Sequence, residues 1–190
     1  VLRETIRLSR LVIDMLELSR LQSGTASLSR SVFAPLPLLD LIHETYSAYA
    51  EDYQQTFVYD VPKDLPNVVG NPDRTQQVLI ALLDNAVKYT PEGGKISVSV
   101  KEEPFEKENY IAYRIIVEDN GIGMSKEYLP HIFEEFSREH TSTESKVTGT
   151  GLGLPIVKSL IDMMGGTIEV ESQLGCGTKM TVVLPFELAS

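Results

Sequence analysis

The chain has little sulfur and little imidazole: one cysteine, Cys176, and three histidines, His43, His131 and His140, in 190 residues. That excludes an intrachain disulfide and a multi-cysteine zinc site, and it fits a reducing, cytoplasmic compartment. Basic residues are also scarce. Lys and Arg number 17 against 27 Asp and Glu, a net charge of −10, so the concentrated basic face that grips nucleic-acid phosphates is not expected and nucleic acid is disfavoured as a partner. The longest apolar runs, VLIALL at 78–83 and LVI at 11–13, fall far short of the ~18–20 residues of a membrane span. The first residue is Val1 and no charged-then-apolar leader precedes the body, so the expectation is a piece of a longer protein.

With 42% hydrophobic and 23% charged residues, the composition is that of a globular protein, and the length suits one domain with an appendage. Within residues 1–22, Leu8, Leu11, Met15 and Leu18 recur at alternating spacings of three and four, flanked by Leu2, Ile6, Ile13 and Leu16. This predicts an amphipathic helix whose broad apolar stripe calls for partner helices. Gly24 stops it, and residues 24–35 read as a linker rich in Ser, Thr and Gly. A second helical pattern runs through Leu38, Leu39, Ile42, Tyr46 and Tyr49. Short strands are expected at 56–61 and around Val68–Val69. The segment 72–89 is a helix with Val78, Leu79, Leu82, Leu83, Ala86 and Val87 on one face, closed by Pro91 and Gly93-Gly94. Alternating patterns at 95–100 and 113–118 predict a hairpin, and strands at 167–172 and 179–184 follow a helix at 155–164. Paired strands interleaved with helices predict an α+β, two-layer sandwich: a mixed sheet with helices on one face.

Glycine is concentrated in three places, DNGIG at 119–123, GTGLG at 149–153 and GCGT at 175–178. Glycines let backbone N–H groups approach a ligand closely, and the second cluster runs into a helix N-terminus, a natural phosphate site. Two nucleotide fingerprints fail. The only Gly-Lys pair, Gly94-Lys95, is followed by Ile96 and has Tyr89 where a Walker loop needs its first glycine; Leu154 stands where a dinucleotide motif beginning at Gly149 needs glycine.

The whole set resembles the Bergerat ATP-binding fold, and within it the catalytic and ATP-binding domain of sensor histidine kinases. LLDNAVKYT at 82–90 is similar to the N box, VEDNGIGM at 117–124 to the first glycine box, HIFEEFSR at 131–138 to the F box, GTGLGLPIVK at 149–158 to the second glycine box and GCGT at 175–178 to the third. The resemblance covers about 36–186, and the expected catalytic domain runs over 36–188. Residues 1–23 resemble the last helix of the dimerisation and phosphoacceptor domain that precedes it in such kinases.

The resemblance implies a set of roles. Asp119 accepts from the adenine amino group, a contact that guanine, with a carbonyl there, cannot make. Asn85 offers its oxygen to Mg²⁺, a hard cation sharing its ligands with phosphates. Lys88 places a positive charge beside the phosphates, Tyr89 packs near sugar and phosphates, and Arg138 approaches the γ-phosphate. Gly121 and Gly123 belong to the first glycine box. Gly149, Thr150, Gly151, Leu152, Gly153 and Leu154 bring backbone N–H groups to the triphosphate. Thr178 makes a small polar contact near the adenine, and Phe133 and Phe136 anchor the base of a lid. That lid is expected over 134–148, where only Phe136 and Val147 are apolar and where Arg138 and Lys146 can close over the triphosphate.

One position departs from the family. Sensor kinases usually carry an asparagine four residues before Asn85, on the same helix face; here it is Ala81. In ATP-hydrolysing relatives of the gyrase and Hsp90 kinds a glutamate at this place activates water, which alanine cannot do. None of the three histidines has the Ser-His-Glu-like context of the phosphoacceptor, so that histidine is expected on a helix outside this chain. The function implied is the ATP- and Mg²⁺-dependent kinase core of a two-component sensor, working as a homodimer with its own dimerisation domain and with a response-regulator receiver domain; the intact protein could be anchored in the inner membrane. Ala81 keeps open an ATP-binding signalling or scaffolding module with weakened catalysis, and, further off, a gyrase- or Hsp90-type ATPase.

Overall fold

The helix that organises the domain is the one whose pattern was plainest. Pro72–Tyr89 begins on Asn71, whose side-chain oxygen accepts from the Arg74 N–H at 2.9 Å, with Pro72 in the first turn where its missing N–H costs nothing. Thr75, Val78, Leu79, Leu82, Leu83 and Ala86 are buried along one face, and Lys88 in the last turn complements the helix dipole.

The computed structural model describes residues 2–139 and 149–189. Its elements are α1 (Leu2–Gln22), β1 (Ser31–Phe33), α2 (Pro35–Asp52), β2 (Thr56–Asp60), β3 (Val68–Gly70), α3 (Pro72–Tyr89), β4 (Lys95–Pro104), β5 (Tyr110–Asp119), α4 (Gly153–Met163), β6 (Thr167–Gln173) and β7 (Gly177–Leu188). Residues 140–148 of the expected lid, His140 and Lys146 among them, lie outside the described residues.

The seven strands form one mixed sheet in the order β1-β3-β7-β5-β4-β2, with β6 also paired to β7. Its pairs are antiparallel except β2 with β4. On the inner face Ile96, Val98 and Val100 of β4, Ile115 and Val117 of β5, and Met180, Val182 and Leu184 of β7 are buried in one cluster with Leu79, Leu82 and Leu83 of α3 and Leu160 of α4. The alternate positions carry ion pairs, Arg114 Nε with Glu103 at 2.5 Å and Lys179 with Glu171 at 3.2 Å. Period-two alternation therefore sets an apolar face against helices and a polar face against water. The expected two-layer sandwich is what forms.

Three expectations shift in detail. The linker 24–35 contains β1, a short strand held by pairing with β3. The strands at 95–100 and 113–118 extend to Pro104 and back to Tyr110, because each supplies the other's ladder. Helix 155–164 begins two residues earlier, at Gly153. Tyr46 of α2 donates to Asp84 Oδ1 of α3 at 2.5 Å, and burial, then Asp84, pushes its phenol well above the usual tyrosine range. Helix α1 lies on the domain through buried Leu18 and Leu21 and the Arg74–Glu17 pair at 2.5 Å. Ile6, Leu8, Val12, Ile13, Met15 and Leu16 on it stay exposed.

Leu79 is 1% exposed at the centre of this cluster. Leu79→Ala is expected to lower unfolding free energy by ~2–5 kcal/mol, read as a lower urea midpoint at an unchanged slope.

Candidate functional site

One cleft of about 270 Å³ gathers the predicted positions. Val117 and Asp119 of β5 and Thr178 and Met180 of β7 form its floor; Leu82, Asn85, Ala86, Lys88 and Tyr89 of α3 form one wall; Gly149, Thr150, Gly151, Gly153 and Leu154 form the other. Ile122, Gly123, Met124, Tyr128, Ile132, Ser137, Arg138 and Glu139 complete the rim. Gly121 and Leu152 are not on its surface. Gly121 sits behind the wall, donating its N–H to Asp119 Oδ1 at 2.9 Å, and Leu152 is fully buried as the cap residue of α4.

Asp119 ends β5 directly opposite Thr178 of β7. Burial pushes its carboxyl above the usual aspartate range, while N–H groups of Gly121 and Thr178 and the neighbouring Glu118 act in smaller degree, the N–H groups lowering it and Glu118 raising it. The turn after it is possible only because side chains are missing. A Cβ on Gly123, whose φ is +65°, would overlap the Gln173 carbonyl, and one on Gly177 would overlap the Asp119 carbonyl. The Thr178 hydroxyl lies 2.8 Å from Ser172 Oγ, which also accepts from the Met124 N–H at 2.9 Å. Thr178 therefore ties the third glycine turn to the first as well as facing the cleft.

On α3, Asn85 and Lys88 are one turn apart. The Lys88 ammonium lies 5.0 Å from the Tyr89 ring centre, and a Cβ on Gly149 would come within 2.9 Å of it, so the cation stands against the second glycine cluster. Across the cleft, α4 begins without a side-chain cap, which leaves its first N–H groups to an incoming anion. The Thr150 hydroxyl points elsewhere, donating to Asp14 Oδ2 of α1 at 2.7 Å. Arg138 is exposed on the rim.

For a metal the protein offers the Asn85 amide oxygen, with the methyl of Ala81 one turn earlier. Among the described residues no group of three or more His, Cys, Asp or Glu could hold an ion. One amide oxygen fits Mg²⁺ that arrives on a polyphosphate and keeps several waters, as that cation commonly does; it does not fit a metal held by the protein alone.

The expected lid anchors fare differently. The Phe136 N–H donates to the Gly151 carbonyl at 3.0 Å, but its φ is +60° and its ring is 52% exposed; Ile132, 3% exposed, is the buried anchor of this segment. Residues 125–139 fold back on themselves through Tyr128 Oη donating to the Ser137 carbonyl at 3.3 Å and the Ser125 N–H donating to Glu139 at 3.0 Å. Sequence reasoning missed Met124, Tyr128, Ile132 and Met180 on the cleft, and Ser172 behind it. Ser172 was findable, since it is the cross-strand partner of Thr178 in the β6–β7 register.

A half-buried aspartate with a raised pKa destabilises the empty protein wherever it is ionised. The cost is full above the raised pKa, shrinks as pH falls through it, and vanishes below the ordinary value of 3.8. Asp119→Asn keeps an acceptor for the Gly121 N–H, so it should raise the melting temperature of the ligand-free protein at neutral pH and lose that advantage on acidification. Melting curves across the pH range check it; equal melting temperatures at pH 7 would contradict the assignment.

The family model of histidine kinase-, DNA gyrase B- and HSP90-like ATPases matches residues 70–188. The sensor histidine kinase WalK of Bacillus subtilis (strain 168) is 34% identical over 184 residues, covering 97% of this chain and 29% of its own length. The adaptive-response sensory kinase SasA of Synechococcus elongatus is 33% identical over 182 residues, 94% of this chain and 44% of its own length. Among solved structures, full-length ShkA in complex with AMPPNP superposes on the whole chain with a TM-score of 0.80 at 29% identity, matching 38% of that protein. The catalytic domain of histidine kinase ThkA covers 83% of the chain with a TM-score of 0.65 at 25% identity and is itself matched over 97% of its length. The chain thus spans less than half of these full-length relatives, and across more than half of its own length, glycine clusters and cleft included, it belongs to the histidine kinase-, DNA gyrase B- and HSP90-like ATPases.

Proposed function

We propose that the chain is the nucleotide-binding kinase core of a two-component sensor histidine kinase, binding Mg·ATP in the cleft and presenting its γ-phosphate to a histidine on a separate helix. The observation that carries this reading is the pairing of a half-buried carboxylate, Asp119, at the cleft floor with Lys88 and an uncapped helix N-terminus at the glycine wall. That polarity suits a ligand with a hydrogen-bond donor at one end and a polyanion at the other.

In this reading Asp119 accepts from the adenine amino group, Val117, Ile122, Met124 and Met180 enclose the base, and the N–H groups of 149–154 with Lys88 hold the phosphates. Asn85 holds the Mg²⁺ that accompanies them; when bound, that ion neutralises phosphate charge. Arg138 stands where it can steady the transferred group. None of the three histidines is offered as the acceptor: His43 stacks on Tyr59 with ring centres 4.2 Å apart, and His131 pairs with Glu134 at 2.7 Å on the surface. The partners in the full protein are its dimerisation and phosphoacceptor domain, as a homodimer, and a response-regulator receiver domain in the cytoplasm. No helix among the described residues is long and apolar enough to cross a membrane. The relatives named as sensor kinases support this reading over a gyrase- or Hsp90-type ATPase, and Ala81, with no carboxylate to activate water, points the same way.

Calorimetry is the direct test. ATP should bind and GTP should not, and Asp119→Ala should weaken ATP by ~10–100-fold, the worth of a hydrogen bond to a charged group. Equal affinity for ATP and GTP would sink the assignment of Asp119.

Ala81→Asn adds an amide one turn from Asn85. It should tighten binding of Mg·ATP while leaving metal-free ADP unchanged. Identical Mg²⁺ titrations for the parent and the variant would mean that position 81 does not reach the metal.

A further inference from the structure

Gln55 lies outside the cleft, at the corner where α2 gives way to β2, and is only 9% exposed. Its side-chain amide donates to two backbone carbonyls of another helix, Val87 at 2.9 Å and Thr90 at 2.6 Å. Those carbonyls belong to the last turn of α3 and to its C-cap, where the helix leaves acceptors without successors. Between them in sequence stand Lys88 and Tyr89, both on the cleft wall.

Backbone bonds close around the same corner. The Gly93 N–H donates to the Gln54 carbonyl and the Thr56 N–H to the Gly94 carbonyl, each at 2.8 Å; from the cleft side, the Ile122 N–H donates to the Tyr89 carbonyl at 3.1 Å. The last turn of α3 is thus held from two directions, by the first glycine box on one side and by one side chain on the other.

Packing alone does not explain an amide at this place. Gln55 Oε1 and Thr90 Oγ1 are buried with no hydrogen-bond partner among the described residues; a leucine of similar volume at position 55 would remove the first of these but leave the Val87 and Thr90 carbonyls without this donor. What the amide supplies is a neutral donor with two protons, able to satisfy two carbonyls at once without placing another charge near Lys88.

We propose that Gln55 is a positioning residue for the nucleotide site: by fixing the end of α3 it sets where Lys88 and Tyr89 stand against the phosphates. This rests on the adenine-nucleotide reading of the cleft. Asp119, on β5, takes its hydrogen bonds from the Gly121 and Thr178 N–H groups and none from Gln55, so Gln55 bears first on the triphosphate end, where Lys88 and Tyr89 stand.

The test compares adenosine with Mg·ATP by calorimetry in the parent and in Gln55→Leu. The adenosine Kd should change less than about twofold, while the Mg·ATP Kd should rise about tenfold, the scale of one lost polar contact. Amide exchange at Lys88, Tyr89 and Thr90 should quicken, with Leu82 and Leu83 of the same helix unchanged. A variant that merely loses stability would weaken both ligands alike or neither, and either result overturns the proposal. If Gln55→Leu does not fold, Gln55→Asn keeps the amide on a stem too short for both carbonyls, and the same ratio decides. A parent chain that binds neither ligand overturns the cleft reading together with this inference; normal binding by the parent with an unchanged ratio in the variant overturns this inference alone.

Discussion

The cleft depends on backbone running against backbone at the end of β5. Gly177 lets the Asp119 carbonyl through where any Cβ would stand, Gly123 does the same for the Gln173 carbonyl, and Gly121 lies against the Tyr89 carbonyl. Three separate pieces of chain, the end of β5, the β6–β7 turn and the last turn of α3, are brought together at distances that side chains forbid. The Ile122 N–H to the Tyr89 carbonyl and the Met124 N–H to Ser172 then fasten them. Asp119 is placed by this arrangement before it meets any ligand. Because its oxygens accept from the N–H groups of Gly121 and Thr178, its carboxyl can be half-buried at moderate cost.

That placement also sorts charge. The chain carries a net −10, yet the cleft sets its half-buried acid, Asp119, at the floor and Lys88 and Arg138 at the wall and rim. The start of α4 adds the positive end of a helix dipole on the glycine side. In the proposed mode the anion lies toward Lys88, Arg138 and the start of α4, with Glu139 sharing the rim, and the inner end accepts a hydrogen-bond donor. A nucleotide bound in the proposed way has one orientation that satisfies both ends.

How legible each part was follows from where its information lies. Helix α3 could be read outright, because capping Asn71, Pro72 and a 3.6-residue apolar repeat are all local signals. The glycine clusters were legible for the opposite reason: a close approach of two backbones leaves glycine as the residue that fits, so a tertiary fact is written in single letters. Strand β1 carried no such mark. Ser31-Val32-Phe33 is a strand only because Val68–Gly70 lies beside it. Met124, Tyr128, Ile132 and Met180 read as ordinary apolar residues, and nothing short of the fold turns them toward one cleft. Phe136 misled in the other direction, since a large aromatic suggests burial, whereas a φ of +60° and a bond from its N–H to Gly151 make its backbone the useful part. Gln55 could not be found from sequence at all, because its two acceptors lie on a helix more than thirty residues away.

Helix α1 shows how the same loop serves two neighbours. Its inner side meets the domain through Leu18, Leu21 and the Glu17–Arg74 pair, while Ile6, Leu8, Val12, Ile13, Met15 and Leu16 remain open to water, a larger apolar surface than a lone helix leaves uncovered at no cost. Between these sides Asp14 accepts from the Thr150 hydroxyl. The loop thereby divides its groups: the Thr150 hydroxyl donates to the helix and accepts from the Leu152 N–H, while Gly149, Gly151, Gly153 and Leu154 line the cleft. Thr150 is a better choice than serine for that division, because its branched Cβ restricts χ1 and holds the hydroxyl toward Asp14. A glycine loop with freedom to wrap around an anion is in this way given one fixed point, and that point is on helix α1.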